Sequence, residues 1–560
     1  MSRRHLIGLP KESPLRRAAR IVDRSGAVDL LERWRSEDRA RAGKGLGGRP
    51  KHVSDRAVLV AWVALAIDKK PMIVIDMADL IATADADTLN ELGVVPGAIR
   101  PDWYSRVWRS LHSVLDLIDP HPIRPELGGD RRTKMTKVEF DALLARRDPE
   151  ETARKAERLH EFTNALIEAS VRECPEDLLG RWMGNVVVDG TLVRAWGKHG
   201  TSKKSDWVAS EPDGGWYCRD GDHSDKRSNG DRVAWGWDAT VVSMSPNTGA
   251  DEADHPLLGL GLGLARPGHR PGQIAVKVYA SIASRGHPTD LGIGDGIYLG
   301  GSKPEHYHLP ARSVGYGLIG EYRAGTPAVT VAEQGAIQVD GSWYCPSMPT
   351  DLINASVDKR NGKIDEKTWR ARIDRRTAYM VRPNGRIEPD GYQRFRCPAS
   401  GPSATVACPL KGEPARAGLT AVTITPKHPD KVCTQKSITI GPSPGAKWRQ
   451  DIQYGTEAWR REMGRRNEAE HFNADLKSAI QGALDSAGRR QVKGRTAATV
   501  FTAITIVAEN VRRIDVFVAI QAKPKASKPR SKRRRDRPGS WGEESPLRRK
   551  QPGPAPPAAA

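Results

Sequence analysis

The sequence predicts a mixed α/β protein with a helical N-terminal region, a sheet interrupted by a β-rich insertion, and closing helices. Three observations lead there. Apolar residues follow the helical repeat up to about residue 174, and β-branched runs replace it from Asn185. Three strand-like runs, a helix and two further strands then follow in order, so a crossover helix can return a later strand beside the first. Residues 325–445 are rich in Gly and Pro, with short β-like runs, and helices resume at Thr456.

The chain has 560 residues, enough for two to four domains and a sizeable core. Hydrophobic residues make up 38% and charged residues 28%, which suits a soluble globular protein. The 89 Lys and Arg outweigh the 68 Asp and Glu, leaving +21 and making a polyanion the first partner to consider. The longest apolar run, Ala57 to Ile67, is eleven residues, short of the roughly 20 a bilayer helix needs. Met1-Ser2-Arg3-Arg4-His5 has no apolar stretch behind it, so no secretory signal is expected. Six scattered Cys do not make a disulfide scaffold. A cytoplasmic, nucleoid-associated protein that handles nucleic acid is the expectation.

Residues 1–50 are Arg-rich and interrupted by Gly43, Gly45, Gly47 and Gly48, the composition of a loose basic arm. Ser54 can cap the apolar run after it, and residues 51–125 hold three helical patterns. The third spaces Trp103, Val107, Leu111, Leu115 and Ile118 helically, with Arg100, Arg106, Arg109 and His112 on its other side. That pattern fits a helix-turn-helix DNA reader or an ordinary small bundle. Residues 126–180 form a helical connector, started by the Thr136/Glu139 capping box and by Asp148-Pro149. Strand candidates in 181–324 are Asn185–Asp189, Val233–Met244, Leu257–Leu264, Leu291–Asp295 and Gly315–Tyr322. A helix over 271–285 separates the third from the fourth. The insertion occupies 325–447, and 448–520 is helical, with one helix expected over 459–480. From 521 to 560 the chain should be a disordered Pro-rich tail, with twelve Lys/Arg against three acids between Lys523 and Lys550.

The 459–480 helix carries the most informative pattern. With Glu470 at zero and about 100° per residue, Met463 falls near +20°, Arg466 near −40°, Asn473 near −60° and Lys477 near −20°. Ala469, Phe472 and Ile480 lie on faces that can meet a core, and Glu468 sits about 160° away from Glu470. An acid flanked by two cations suits a metal-and-phosphate site: the acid holds the metal, and Arg and Lys hold phosphates. A solvated charge face gives the same pattern.

Arg466-x3-Glu470-x6-Lys477 resembles the Tyr-x2-Arg-x3-Glu-x6-Lys signature of one large group of bacterial insertion-sequence DDE transposases. Met463 stands where that signature has Tyr. Val186-Val-Val-Asp189-Gly-Thr191 and Gly294-Asp295-Gly-Ile-Tyr298 are similar to the family's two Asp loops. Ser210-Glu-Pro-Asp-Gly-Gly-Trp-Tyr217, Cys397-Pro, Cys408-Pro-Leu and Val432-Cys-Thr434 resemble actinobacterial transposase-like proteins. The resemblance covers about residues 45–515. It implies an RNase H-like core split by a β-rich insertion, with Asp189, Asp295 and Glu470 binding two Mg²⁺ (or Mn²⁺). Asp189 would bridge the two ions, and the other acids would hold one each. It also implies DNA strand cleavage and transfer during transposition, on double-stranded transposon ends and target DNA, with a homodimer assembled on DNA. A catalytically idle DNA-binding protein and a nuclease that cuts without joining are the alternatives.

Other residues extend this reading. Asp238, on a neighbouring strand, is a reserve carboxylate. Asp220, Asp222, His223 and Asp225 form a polar cluster that suits a solvated loop or metal ligands. Trp207, Trp216 and Tyr217 are interleaved with Lys203, Lys204 and Arg219, an arrangement for phosphate contact and base stacking or for anchoring a loop. Cys345, Cys397, Cys408 and Cys433 could supply four thiolates to a structural Zn²⁺, or stand as reduced buried thiols.

Overall fold

The computed structural model describes residues 12–43, 51–94, 102–123, 135–197, 205–218, 233–323, 325–411, 418–491 and 493–522. Residues 10–517 form one compact unit, to which all contacts below belong; Val518 onward, with Met1–Leu9, counts to a second. Lys203, Lys204, Arg219, the 220–225 cluster, Arg100 and the basic tail lie outside the described residues.

The N-terminal region is helical from the start of the described chain. Residues 14–41, expected as part of a loose arm, instead form α1 (Pro14–Ser25) and α2 (Ala27–Arg41). Ile21, Val22, Leu31 and Trp34 are buried there. The reason is long-range: Arg20 and Arg24 donate to the buried Glu173 carboxylate at 2.5–3.0 Å, so these basic residues are partners of a remote acid. Next come α3 (Asp55–Ile67), α4 (Val74–Ala82), α5 (Ala86–Leu92) and α6 (Trp103–Leu117). Ser54 caps α3 as expected, accepting from Ala57 N at 3.1 Å. Helix α5 was not expected; its seven residues are too few for a periodic signal, though Asp85 caps one end and Gly93 (φ +67°) closes the other. The connector contains α7 (Lys137–Ala145), with its Thr136/Glu139 box in place, then α8 (Pro149–Val171) and α9 (Glu176–Leu179).

A six-stranded mixed sheet follows, built from β1 (Val186–Arg194), β2 (Gly215–Cys218), β3 (Val233–Met244), β4 (Gly259–Ala265), β5 (Leu291–Gly294) and β6 (Gly317–Gly320). Along the sheet, β3 neighbours β1, β1 neighbours β5 and β5 neighbours β6. Both β2 and β4 pair with β3. Strand β3 is antiparallel to its three partners, whereas β1, β5 and β6 run parallel. Helix α10 (Pro271–Ser284) makes the crossover that returns β5 beside β1, and α11 (His308–Ser313) lies between β5 and β6. Asp189 was expected to end its strand. It does not: twelve-residue β3 pairs with β1 as far as Arg194, and Asp189 lies where the β5 pairing stops.

Among its described residues the insertion holds eight short strands, β7 (Val329–Glu333), β8 (Ala336–Val339), β9 (Ser342–Tyr344), β10 (Arg382–Pro383), β11 (Gln393–Arg396), β12 (Val406–Ala407), β13 (Thr420–Ala421) and β14 (Ser437–Ile440). It is less uniformly β than expected, because α12 (Thr350–Ile353), α13 (Ala355–Arg360) and α14 (Glu366–Arg376) interrupt it, and α15 (Lys431–Thr434) precedes β14. Arg376 anchors the helical part: its buried guanidinium meets Asp340 at 2.5 Å and the Leu352 carbonyl at 2.6 Å.

The expected 459–480 helix is two helices, α16 (Glu457–Gly464) and α17 (Asn467–Lys477). Arg465 explains the break. Its buried guanidinium donates to the Pro246 and Asn247 carbonyls (3.1 and 2.7 Å) and to Glu462 (2.6 Å), which holds the chain there. Two angular expectations therefore fail. Met463 packs with Val187, Ile293, Ile319 and Trp459 in the core, and Ile480, beyond the end of α17, is 78% exposed. The last helix, α18 (Arg495–Ala522), runs back to the N-terminal helices, where Phe501 meets Trp62 of α3 edge to face at 4.6 Å. Residues of α1, α3, α6, α8, α17, α18 and the sheet belong to one apolar cluster. The N-terminal helices thus share the core of the sheet. No described helix is long and apolar enough to cross a membrane.

Candidate active site at the end of the sheet

The parallel register of β1 and β5 ends at Val188–Gly294, so Asp189 and Asp295 occupy the next position on each strand. Asp295 opens a turn whose amides bind it back: Ile297 N donates to Asp295 Oδ1 at 2.8 Å and Tyr298 N to its carbonyl at 3.2 Å. Asp238 sits on β3 opposite Leu192 and reaches diagonally towards Gly190, where an added Cβ would lie 2.9 Å from Asp238 Oδ1. Gly190 leaves the space that this carboxylate fills. Asp238 Oδ1 is itself buried without a hydrogen-bond partner.

Two of these acids are shifted upward. Burial raises Asp189 above the usual carboxylate range, the Asp295 charge adds to it, and Asn473 and Arg466 oppose it. Asp238 is pushed up to about 6, first by burial, then by Asp189 and Asp295, with Lys477 opposing. Both shifts favour the protonated carboxyl, and a cation bound among these acids would offset them.

Helix α17 supplies the other side. Ala469, Phe472 and Leu476 are buried against the core, and Asn473, 5% exposed, lies beside them. Asn473 Nδ2 donates to Asp189 Oδ2 at 3.0 Å. That bond brings the predicted face onto the sheet: Arg466, Glu470, Asn473 and Lys477 follow one another at helical spacing. Arg466 and Glu470 form an ion pair at 3.4 Å, with the Glu470 side chain half exposed. Glu468, by contrast, pairs with His471 at 3.9 Å. The structure thus brings Asp189, Asp295, Asp238, Arg466, Asn473 and Lys477 to one end of the sheet, with Glu470 on the same helix face. Sequence reasoning assigned no role to Asn473. Its place on the same side of the wheel, next to Arg466 and Lys477, was the available signal.

Other expected residues stand apart. Arg106 lies over the Trp103 ring at 5.7 Å and its Nη1 is buried without a partner, whereas Arg109 is exposed on α6. Trp207 and Trp216 are partly exposed, and Trp216 meets Trp235 edge to face at 5.4 Å. Cys345, Cys397 and Cys408 share one apolar cluster, and Cys433 belongs to another. All four are free and buried, and burial pushes Cys345 up to about 12. Among the described residues, no three His, Cys, Asp or Glu side chains form a ready-made metal cage. Mg²⁺ does not require one, since it keeps several waters and takes one or two carboxylates. The orphaned Asp238 oxygen and the buried, raised Asp189 and Asp238 fit a hard divalent cation.

No protein-family model, curated protein or solved structure matches the chain.

Proposed function

We propose that this protein is a DDE transposase, which binds transposon ends and carries out metal-dependent DNA cleavage and strand transfer on an RNase H-like core. The observation that carries the reading is the Asn473–Asp189 hydrogen bond, which docks the Arg466/Glu470/Lys477 face onto the strands bearing the two Asp. The order of elements agrees. With short β2 left aside, Asp189 lies on the first strand and Asp295 follows the fourth, as the family resemblance implies.

Asp189, Asp295 and Glu470 would hold the Mg²⁺. Held there, the ions would supply activation of a water or 3′-hydroxyl and charge stabilisation for the leaving oxygen of a phosphodiester. The chain's own groups position the DNA. Arg466 offers a planar fork to a phosphate and Lys477 a point charge, and neither can ligate a metal, since both only donate. The positive charge of the body and tail favours DNA through release of counterions.

The test uses the full chain with duplexes from the DNA flanking its own gene. The expected result is Mg²⁺-dependent cleavage and joining of 3′ ends to plasmid, lost in Asp189→Asn, Asp295→Asn and Glu470→Gln and kept in Glu468→Gln. Cleavage without joining would make it a nuclease, and binding without cleavage an idle DNA-binding protein.

A further inference from the structure

Asn473 presents an unfilled valence that packing does not explain. It lies one turn beyond Glu470, in a helix whose neighbouring buried positions are apolar, and it is itself 5% exposed. Asn is a poorer helix former than Ala or Leu, and burying its amide costs free energy unless both ends find partners. One end does. Nδ2 donates to Asp189 Oδ2 at 3.0 Å. Its Oδ1 is buried with no partner among protein groups. The amide cannot simply be turned round, because an ionised carboxylate accepts only and would then face an oxygen. Asp189 therefore fixes which end of the amide it meets and leaves the carbonyl oxygen unmatched. Asp238 Oδ1, also at this end of the sheet, is likewise buried and without a partner.

A hard divalent cation, or a water it holds, satisfies such oxygens, and amide carbonyls are accepted ligands of such ions. We propose that Asn473 belongs to the cation site, its nitrogen orienting Asp189 while its carbonyl oxygen contacts the ion or an ion-held water. The inference deepens the transposase reading and rests on its metal site. It assigns Asn473 a role no motif residue supplies, and it makes α17 contribute two oxygens, one from Asn473 and one from Glu470.

The experiment is Mn²⁺ binding to the full chain without DNA, read by the electron paramagnetic resonance of free Mn²⁺, beside thermal melting in chelator. Asn473→Ala should weaken binding about 10–100-fold, the range for losing a group that orients a ligand. Asn473→Asp, nearly isosteric, keeps an oxygen beside the ion but gives up the N–H donated to Asp189, so it should bind Mn²⁺ more tightly than Asn473→Ala or Asp189→Asn. A folded Asn473→Ala that binds Mn²⁺ as the natural chain does, while Asp189→Asn loses it, would reduce Asn473 to a structural latch and leave the active-site reading intact. Should Asn473→Ala fail to fold, Asn473→Asp decides, since a folded variant that binds Mn²⁺ no more tightly than Asp189→Asn overturns the inference. Unchanged Mn²⁺ binding in Asp189→Asn would overturn the metal site itself and this inference with it.

Discussion

Two groups of acids, one in the helical half of the molecule and one at the end of the sheet, are treated in opposite ways. In the helical half, Glu173, Asp38 and Asp55 each have Arg or Lys against them. Glu173 receives Arg20 and Arg24, Asp38 pairs with Arg158 at 2.7 Å, and Asp55 is held by Arg35 and by Lys51 at 2.6 Å. Those contacts hold Glu173 and Asp38 below the usual carboxylate range despite burial. At the end of the sheet Asp189 has an amide as its hydrogen-bonding partner, and Asp189 and Asp238 are raised. Compensated acids hold helices together. Uncompensated ones keep a charge deficit that a cation from solution can fill.

The contrast predicts opposite results for the same kind of substitution. Asp295→Asn or Glu470→Gln should slow DNA cleavage by about 10³-fold, a loss of roughly 4 kcal/mol in transition-state stabilisation, and leave the melting temperature in place. A matching fall in stability would erase the distinction between the regions. Glu173→Gln should do the reverse. It leaves clustered Arg side chains around a partly buried site, and chemical denaturation should register a loss of about 3 kcal/mol with little change in cleavage per folded molecule.

Asp238 sharpens the comparison through pH. It holds its proton up to about 6 in the folded chain, against 3.8 as the ordinary value expected on unfolding. The folded state then binds more protons between those values, so stability falls as pH rises through that window, and the full cost persists above it. Asp238→Asn should raise stability by about 1–3 kcal/mol at pH 8 and by almost nothing at pH 3, measured by denaturation in chelator. A gain of equal size at both pH values would assign it to packing. Mg²⁺ should narrow the difference at pH 8.

The smallest expected effect falls on α6. Arg109 is exposed, and Arg109→Ala should lower the salt dependence of DNA binding by about one counterion without altering the fold. Arg106→Ala serves as its contrast, since Arg106 covers Trp103 and has a buried nitrogen. It should cost stability as well. If Arg109→Ala leaves the salt slope unchanged, α6 is a bundle helix and the DNA is gripped elsewhere.

Where chemistry is local, the chain could be read directly. The Ser54 cap, the Thr136/Glu139 box, the Val233–Met244 strand and the α10 crossover depend on residues a few positions apart. The shared face of Arg466, Glu470 and Lys477 was legible too, because α17 keeps the helical period from Asn467 to Lys477. The same reckoning failed for Met463. The bend at Arg465 is set by carbonyls near residue 247, more than 200 positions away. Arg20 and Arg24 read as a solvated arm for the same reason, since Glu173 gives them a purpose only after folding. Asp238 needed the β1–β3 register, and Asn473 needed the docking of α17. α12–α14 were hidden by turn-rich neighbours, although Asp365 caps α14 through Thr368 N at 2.8 Å.

The meeting of Trp62 with Phe501 also bears on how the protein is made. Helix α3 is apolar around most of its circumference, and its cover on α18 lies about 440 residues further along the chain. At roughly 5–20 residues per second, a ribosome needs about 20–90 seconds to deliver that cover. Throughout that interval the nascent chain carries a thirteen-residue apolar helix that packs on α1, α4 and α6 but stays uncovered on its α18 side, a natural target for chaperones. A message cut short before residue 501 would release a product whose N-terminal helices lack one wall of their core. Truncated copies should then be cleared as misfolded protein and not accumulate beside the full-length chain.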